Sequence, residues 1–169
     1  MKISACYIVK NEAAVLERSI ASLRGCADEI LVVDTGSTDD APQIAARCGA
    51  RVVSHAWQED FAEARNFALS EAKGDWIVFL DADEYFTPET AGNIRSVIER
   101  SQEAQALLVQ RQDIDADQGG RVMAALFVLR IFRNSPALRF MGRIHEELRE
   151  NGQDVSHMAA VSPQELQLM

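Results

Sequence analysis

Two aspartates separated by a single residue stand where the chain leaves an apolar segment. Asp81 and Asp83 directly follow the run 76–80, so their carboxylates are expected at the end of a buried strand. At this spacing two carboxylates can share one hard cation, one directly and the other through water or a sugar hydroxyl, and leave coordination positions for phosphate oxygens. For the triplet by itself, a solvated acidic turn is the alternative.

Two further polar clusters occupy equivalent positions. Residues 10–12, Lys-Asn-Glu, follow the apolar run 3–9. Residues 34–37, Asp-Thr-Gly-Ser, follow the run 30–33. Ligands of parallel sheets bind beyond the carboxyl ends of the strands. The three clusters are therefore predicted to converge on one edge of a sheet.

The elements that position these clusters alternate between strands and helices. Short apolar runs are separated by segments with apolar residues at helical spacing, which predicts a largely parallel sheet with helices on its faces. Asn11 is a candidate cap for the first helix, and Ser37, Thr38 or Asp39 for the second. The predicted strands are 3–9, 30–33, 51–54 and 76–80, and the predicted helices are 11–23, 44–48 and 61–72.

After Pro88 the pattern changes. A helix is predicted to about Arg100, followed by a long hairpin whose apolar runs, 106–110 and 124–132, are joined by the polar segment 113–121. The predicted fold class is therefore α/β, with a mostly parallel central sheet, flanking helices and a β-rich C-terminal part.

The charge balance argues against one class of partner. With 17 basic and 26 acidic residues the net charge is −9, which repels the phosphate backbone of a nucleic acid. A divalent cation between carboxylates can still reverse the local field for a small phosphorylated ligand. Three cysteines without metal-ligand spacing, no signal peptide and no apolar stretch of ~20 residues predict a soluble cytoplasmic protein, with peripheral membrane association left open.

Four segments in this order resemble the successive motifs of family-2 glycosyltransferases with the GT-A-type, Rossmann-like fold: 4–12, 32–39, 64–66 and 74–84, the last with the DxD motif. The resemblance implies a transferase of the hexosyl type, which moves a sugar from a nucleotide-diphosphate-sugar donor to an acceptor hydroxyl with inversion. The donor of most members is a UDP-sugar. Mg²⁺ or Mn²⁺ would stabilise the departing nucleoside diphosphate.

The resemblance also implies roles for individual residues. Asp83 would bind the metal directly, and Asp81 would contact the ribose or bind the metal through water. Arg65 would pair with a phosphate or the base, the alternative being a surface ion pair with Glu63 or Asp60. The other residues expected to line the nucleotide pocket are Ile8, Asn11, Glu12, Asp34 and Thr35.

One position departs from the family pattern. Many members carry two consecutive aspartates where this chain has Asp34 and Thr35. The second of those aspartates commonly reads the base, so the choice of uridine is left open.

A second cluster, residues 142–147, has the sequence Gly-Arg-Ile-His-Glu-Glu. It is similar to a Gly-Arg-Ile-His-Glu segment in a subgroup of the family. His145 is the candidate third metal ligand and Glu146 the candidate catalytic base. The alternative is an acidic pair farther along the chain, as in most members.

The length of 169 residues is sufficient for one domain. We expect a single transferase domain over 1–150, with a nucleotide-sugar-binding half, 1–86, and an acceptor-side half, 87–150. Residues 151–169 have weak periodicity and are expected to form a tail or a truncated continuation.

Two other functions are kept as alternatives. A sugar-phosphate nucleotidyltransferase can use a similar sheet, but it favours a Gly-rich basic loop after the first strand, which residues 10–12 do not supply. A catalytically silent domain that only binds the nucleotide sugar is the second. The sequence identifies neither the sugar nor the acceptor.

Overall fold

The first half of the chain folds, as predicted, into parallel strands joined by helices. The computed structural model describes residues 1–115, 119–155, 158–161 and 164–169. The strands are β1 (Ile3–Val9), β2 (Glu29–Asp34), β3 (Arg51–Ser54) and β4 (Trp76–Phe79), and the helices between them are α1 (Leu16–Ser22), α2 (Ala41–Arg47) and α3 (Phe61–Glu71). β1 lies between β2 and β4, β3 pairs with β2, and all three pairings are parallel.

The second half adds antiparallel strands to the β4 side. It comprises α4 (Pro88–Ala91), α5 (Ile94–Arg100), β5 (Ala106–Asp115), β6 (Arg121–Arg133), β7 (Leu138–Met141), β8 (Glu147–Glu150), β9 (Gln153–Asp154), β10 (Met158–Ala160) and β11 (Gln167–Leu168). β5 and β6 form the predicted hairpin, and β6 pairs antiparallel with β4.

The main sheet has the order β10-β5-β6-β4-β1-β2-β3, with β11 also on β5, and a small separate sheet has the order β7-β8-β9. Both β10 and β11 run parallel to β5. The predicted fold class, α/β with a mostly parallel central sheet and a β-rich C-terminal part, is confirmed.

Both faces of the main sheet are covered, which is why its central strands are apolar throughout. One face packs against α1, α2 and α5, with Ile20, Ala45 and Val97 in the shared core. The other face packs against α3 and the small sheet through Leu69 and Phe140. Because the faces are closed, the polar ends of the strands are where this sheet can meet a ligand.

The last described residues brace the turn that follows β4. Tyr85 and Met169 exchange two backbone hydrogen bonds of 2.9 Å, Phe86 forms a bridge with Leu168, and Leu166 is fully buried. In the segment 151–169, for which the sequence predicted a tail or a continuation, β10 and β11 are hydrogen-bonded into the main sheet and β9 into the small sheet.

Two helix predictions differ from the structure. α1 begins at Leu16 and not at Asn11, because Asn11 has a left-handed backbone with φ 60°. The single helix expected after Pro88 is divided into α4 and α5 at Gly92 and Asn93, where Asn93 Nδ2 donates to the carbonyl of Glu165 at 3.0 Å. No helix among the described residues is long and apolar enough to cross a bilayer.

We expect Gly74→Ala to destabilise the protein by about 1–3 kcal/mol, the usual cost of overpacking. Gly74 precedes β4, and a Cβ there would lie 2.5 Å from the backbone nitrogen of Ser4. Gly92→Ala is the matched control, since a Cβ at Gly92 meets nothing within 4 Å. Urea unfolding measures both, and equal stabilities of the two variants would contradict the close approach.

Candidate functional site

The loops that follow β1 and β2 are joined by hydrogen bonds. The backbone nitrogen and the hydroxyl of Thr35 both donate to the carbonyl of Val9, at 2.9 and 3.0 Å. The backbone nitrogen of Asn11 donates to Ser37 Oγ at 3.0 Å, and Asn11 Oδ1 accepts from the nitrogen of Thr38 at 2.7 Å. The side chain of Asn11, expected to cap α1, therefore ties the first loop to the second.

A cleft of about 450 Å³ opens at this edge of the sheet. It is lined by the end of β1, by residues that follow β1, β2, β3 and β4, and by the first turns of α3. The convergence of the three polar clusters that the sequence predicted is therefore present. The predicted site residues that line this cleft are Ile8, Glu12, Thr35, Arg65, Asp81 and Asp83.

The other predicted nucleotide residues, Asn11 and Asp34, do not line the cleft. Asp34 is buried, and its Oδ1 accepts a hydrogen bond from the nitrogen of Ser37 at 3.0 Å. Asp39 accepts from the nitrogen of Ala41, the first residue of α2, at 3.0 Å. These side chains shape the loops that bear the cleft.

Two aromatic residues complete the cleft. Trp57 and Phe61 line it, with their ring centroids 4.8 Å apart and their planes at 68°. Phe61 was not among the site residues predicted from the sequence. Phe61 remains 42% exposed at the start of α3, which leaves an apolar edge available to a ligand ring.

Arg65 is the buried centre of an ion-pair cluster. Its Nη2 donates to Asp81 Oδ1 at 2.8 Å, and its Nε donates to Glu146 Oε1 at 2.6 Å. The guanidinium carbon lies 4.7 Å from the ring centroid of Phe79 and 5.3 Å from that of Phe140. With only 6% of the residue exposed, the interpretation as a surface ion pair does not apply.

The acids proposed for that surface pair have other partners. Asp60 caps α3 by accepting from the nitrogen of Glu63 at 3.0 Å. The carboxylate of Glu63 contacts His55 Nε2 at 2.8 and 2.9 Å.

Arg130 holds the second oxygen of Asp81 and was not anticipated from the sequence. Its Nη2 donates to Asp81 Oδ2 at 2.5 Å and to Glu84 Oε1 at 2.7 Å. Glu84 in turn accepts from the nitrogen of Asp81 at 3.0 Å, and Arg111 approaches Glu84 at 3.4 Å. The available signal was a lone arginine inside the apolar run 124–132.

The cluster fixes the charge of its members. Burial raises the pKa of Asp81, but the opposite effect of Arg130 and Arg65 is larger, so the pKa lies below its usual value. Burial lowers the pKa of Arg130, yet Asp81 and Glu84 raise it above the usual value. Asp81 is therefore a carboxylate, and both of its oxygens are already paired with arginines.

The open side of the cleft carries carboxylates that are less well paired with cations than Asp81 is. Asp83 is exposed and has no hydrogen bond or ion pair with the residues that the structure describes. Burial, followed by the charges of Asp83, Asp39 and Asp81, raises the pKa of Glu12. Repulsion of this kind is relieved by a cation at the same place.

Glu146 and His145 lie between β7 and β8, and only Glu146 reaches the cluster. His145 is exposed, with φ 57°. Among the described residues, no three His, Cys, Asp or Glu side chains form a group that could hold a metal. The structure therefore does not bring His145 together with Asp81 and Asp83 as a ligand set.

The carboxylates of Asp81 and Asp83 nevertheless fit a divalent cation. Mg²⁺ is commonly held by one or two protein carboxylates together with substrate phosphates and water. Asp83 offers a carboxylate that has no partner among the described residues. Asp81, two residues before it, is held in place by its ion pair with Arg65. Asp83 bound directly, Asp81 acting through water and the oxygens of a diphosphate would form such a site.

The chain matches the family described as Glycosyl transferase family 2 over residues 4–162. A TPR repeat-containing protein of Synechococcus elongatus is 41% identical over 145 residues, which are 86% of this chain and 35% of that protein. The chain thus spans little more than a third of that relative's length.

Two solved structures are similar to the fold. S. aureus TarS 1–349 in complex with UDP-GlcNAc has a TM-score of 0.74 at 18% identity, over 99% of this chain and 58% of that chain. Glucosyl-3-phosphoglycerate synthase from Mycobacterium tuberculosis, in complex with Mn²⁺, UDP and glucosyl-3-phosphoglycerate, has a TM-score of 0.55 at 28% identity, over 66% of this chain and 44% of that chain.

Arg130→Met should lower the free energy of unfolding at pH 7 by about 3 kcal/mol, because it leaves the buried carboxylate of Glu84 with only the longer contact to Arg111 and removes one of the two arginines paired with Asp81. The side chains of Arg130 and Glu84 are 13% and 5% exposed. Arg111→Met is the control. Arg111 is more exposed than Arg130 and its contact with Glu84 is longer, so the free energy of unfolding should fall by less than about 1 kcal/mol.

The effect of Arg130→Met should depend on pH. The pKa of Asp81 is lowered in the folded protein, so its stabilising contribution is present above its unfolded pKa of about 3.9 and disappears as the pH falls through the lowered value. The difference between the unmodified chain and Arg130→Met should therefore shrink below about pH 4. A difference that stays constant in urea titrations from neutral to strongly acid pH would contradict this assignment.

Proposed function

This chain belongs to glycosyl transferase family 2, and from that premise we propose that it transfers a hexosyl group from a UDP-sugar to an acceptor hydroxyl. The observation that carries the proposal is the cleft that joins Asp81, Asp83 and Arg65 at the polar edge of the sheet. Similarity to proteins in complex with UDP-GlcNAc and with Mn²⁺ and UDP supports it.

We assign the nucleotide to the part of the cleft between the first two loops and Trp57. The base would pack on the Trp57 and Phe61 pair, near Ile8 and Thr35. The hydroxyl of Thr35 already donates to Val9, so only its lone pairs are available to the base. A neutral acceptor there discriminates less sharply between bases than a fixed carboxylate.

The diphosphate is assigned to the acidic side of the same cleft. Asp83 would hold Mg²⁺ or Mn²⁺ directly, and Asp81 would contact the ribose or the metal-bound water, since its own oxygens are paired with Arg65 and Arg130. The metal, when bound, would neutralise charge on the departing diphosphate. Arg65 keeps one buried nitrogen, Nη1, without a partner among the described residues, and a phosphate oxygen would satisfy it.

Glu146 is assigned as the base. Its carboxylate would take the proton from the acceptor hydroxyl while the acceptor oxygen bonds to the anomeric carbon. The bond from that carbon to the diphosphate oxygen breaks, UDP leaves with the electron pair, and the configuration inverts. The ion pair of Glu146 with Arg65, at 2.6 Å, holds the base in a fixed position beside the donor cleft.

A cytoplasmic location is part of the proposal. The nucleotidyltransferase alternative would need phosphate-binding glycines after β1, where the chain has Lys10, Asn11 and Glu12. The silent-domain alternative predicts UDP-sugar binding without turnover. A screen of nucleotide sugars for binding and for donor hydrolysis, with and without Mn²⁺, separates these functions.

Asp83→Asn should abolish most of the Mn²⁺ dependence of UDP binding without unfolding the chain, because Asp83 is exposed and pairs with none of the residues that the structure describes. Isothermal titration calorimetry with Mn²⁺ or with chelator measures this dependence. Glu89→Gln, an exposed acid on α4, is the control and should bind as the unmodified chain does. Equal UDP affinity with Mn²⁺ and with chelator in the unmodified chain would overturn the metal assignment.

Glu146→Gln should lower turnover by at least ~10²-fold, the usual scale for a lost general base, with UDP affinity little changed. Glu147→Gln is the control, since Glu147 is exposed and pairs with Arg149. Donor hydrolysis and UDP titration on the same samples separate the two effects. Equal turnover in the two variants would remove Glu146 from the mechanism.

A further inference from the structure

A second cleft of about 470 Å³ adjoins the donor cleft and shares Arg65 with it. It lies between β6 and the small sheet. Three of its charged residues, Arg65, Arg130 and Glu146, belong to the hydrogen-bonded cluster around Asp81. The polar lining of this second cleft is therefore concentrated beside the donor site.

The other walls of the second cleft are mainly apolar. Phe140, Leu148 and Val155 are buried there, whereas Phe127 and Met158 remain 50% and 46% exposed. The exposed acids at its rim, Glu147 and Asp154, are both paired with Arg149. Large apolar side chains left open to solvent beside a polar group are typical of binding sites for ligands that are partly apolar.

Two buried donors indicate that a ligand oxygen is expected nearby. Arg65 Nη1 and Arg130 Nε have no hydrogen-bond partner among the described residues, although both atoms are buried. Buried polar atoms are nearly always paired in folded proteins. Both arginines line the second cleft. Because Arg65 Nη1 is assigned to the diphosphate, Arg130 Nε is the donor left for a ligand oxygen at this end of the second cleft.

We propose that the second cleft binds the acceptor, and that this acceptor carries an alkyl group close to the hydroxyl that receives the sugar. Glu146 lines this cleft and not the donor cleft, which puts the reacting hydroxyl at its charged end. The alkyl group then packs against Phe127, Leu148 and Met158. Assignment of the cleft to an acceptor rests on the proposed function, whereas its preference for an alkyl group rests on these walls.

The test compares octyl β-D-glucoside with methyl β-D-glucoside, which have the same hydroxyls and differ in the alkyl group. Binding is measured by saturation-transfer NMR below the micellar concentration of the octyl compound. The octyl compound should bind at least about tenfold more tightly, since burial of two methylene groups suffices for that factor. Phe127→Ser should remove about tenfold of this affinity.

Met123→Ser is the matched control. Met123 lies on β6, four residues before Phe127, and is 61% exposed but does not line the cleft, so this variant should bind octyl glucoside as the unmodified chain does. Equal binding of the two glucosides would overturn the inference. An equal loss in both variants would also overturn it, because the octyl chain would then bind the exposed hairpin. Absence of binding together with a dimer in sedimentation would assign the cleft to a second copy instead.

UDP titration with Mn²⁺ on the same samples separates this inference from the proposed function. Intact UDP binding without an octyl preference overturns only the acceptor class. An octyl preference without UDP binding overturns the proposed function and leaves the apolar cleft as a binding site of another kind.

Discussion

The buried cluster of Arg65, Arg130 and Asp81 is the constraint on which the site depends. The side chains of Arg65 and Arg130 are only 7% and 13% exposed, and two guanidinium groups so far removed from water are tolerated only when their charges have partners. The cluster joins α3, the turn after β4, β6 and the turn before β8. Elements that are distant in sequence are thus fixed to one another at the point where the two clefts meet.

This arrangement gives the two aspartates of the DxD motif different surroundings. Asp81 is paired with an arginine on each of its oxygens, whereas Asp83 is exposed and has no hydrogen bond or ion pair with the part of the chain that the structure describes. The site is therefore rigid on its inner side and open on its outer side. A rigid inner side and an open outer side suit a charged ligand such as a diphosphate, whose oxygens would, in our proposal, supply some of the metal ligands.

The parts of the site predicted from sequence are those encoded locally. Asp81 and Asp83 follow a strand whose apolar run marks its end, and the loops after β1 and β2 could be placed by the same rule. Arg130 was missed because its partners are 49 and 46 residues away, and a lone arginine in an apolar strand does not reveal them. The start of α1 was misplaced because Asn11 bonds to the second loop, a tertiary contact that competes with helix capping.

The exchange of hydrogen bonds between Tyr85 and Met169 has a consequence for synthesis. The turn that bears Asp81 and Asp83 is held by residues that are synthesised more than eighty positions later. Contacts between residues so far apart in sequence form slowly, because a long loop must close first. On the ribosome, β1 to β3 can pair before the site has its brace. The binding turn will therefore be among the last parts of the chain to become rigid, well after most of the parallel sheet has formed.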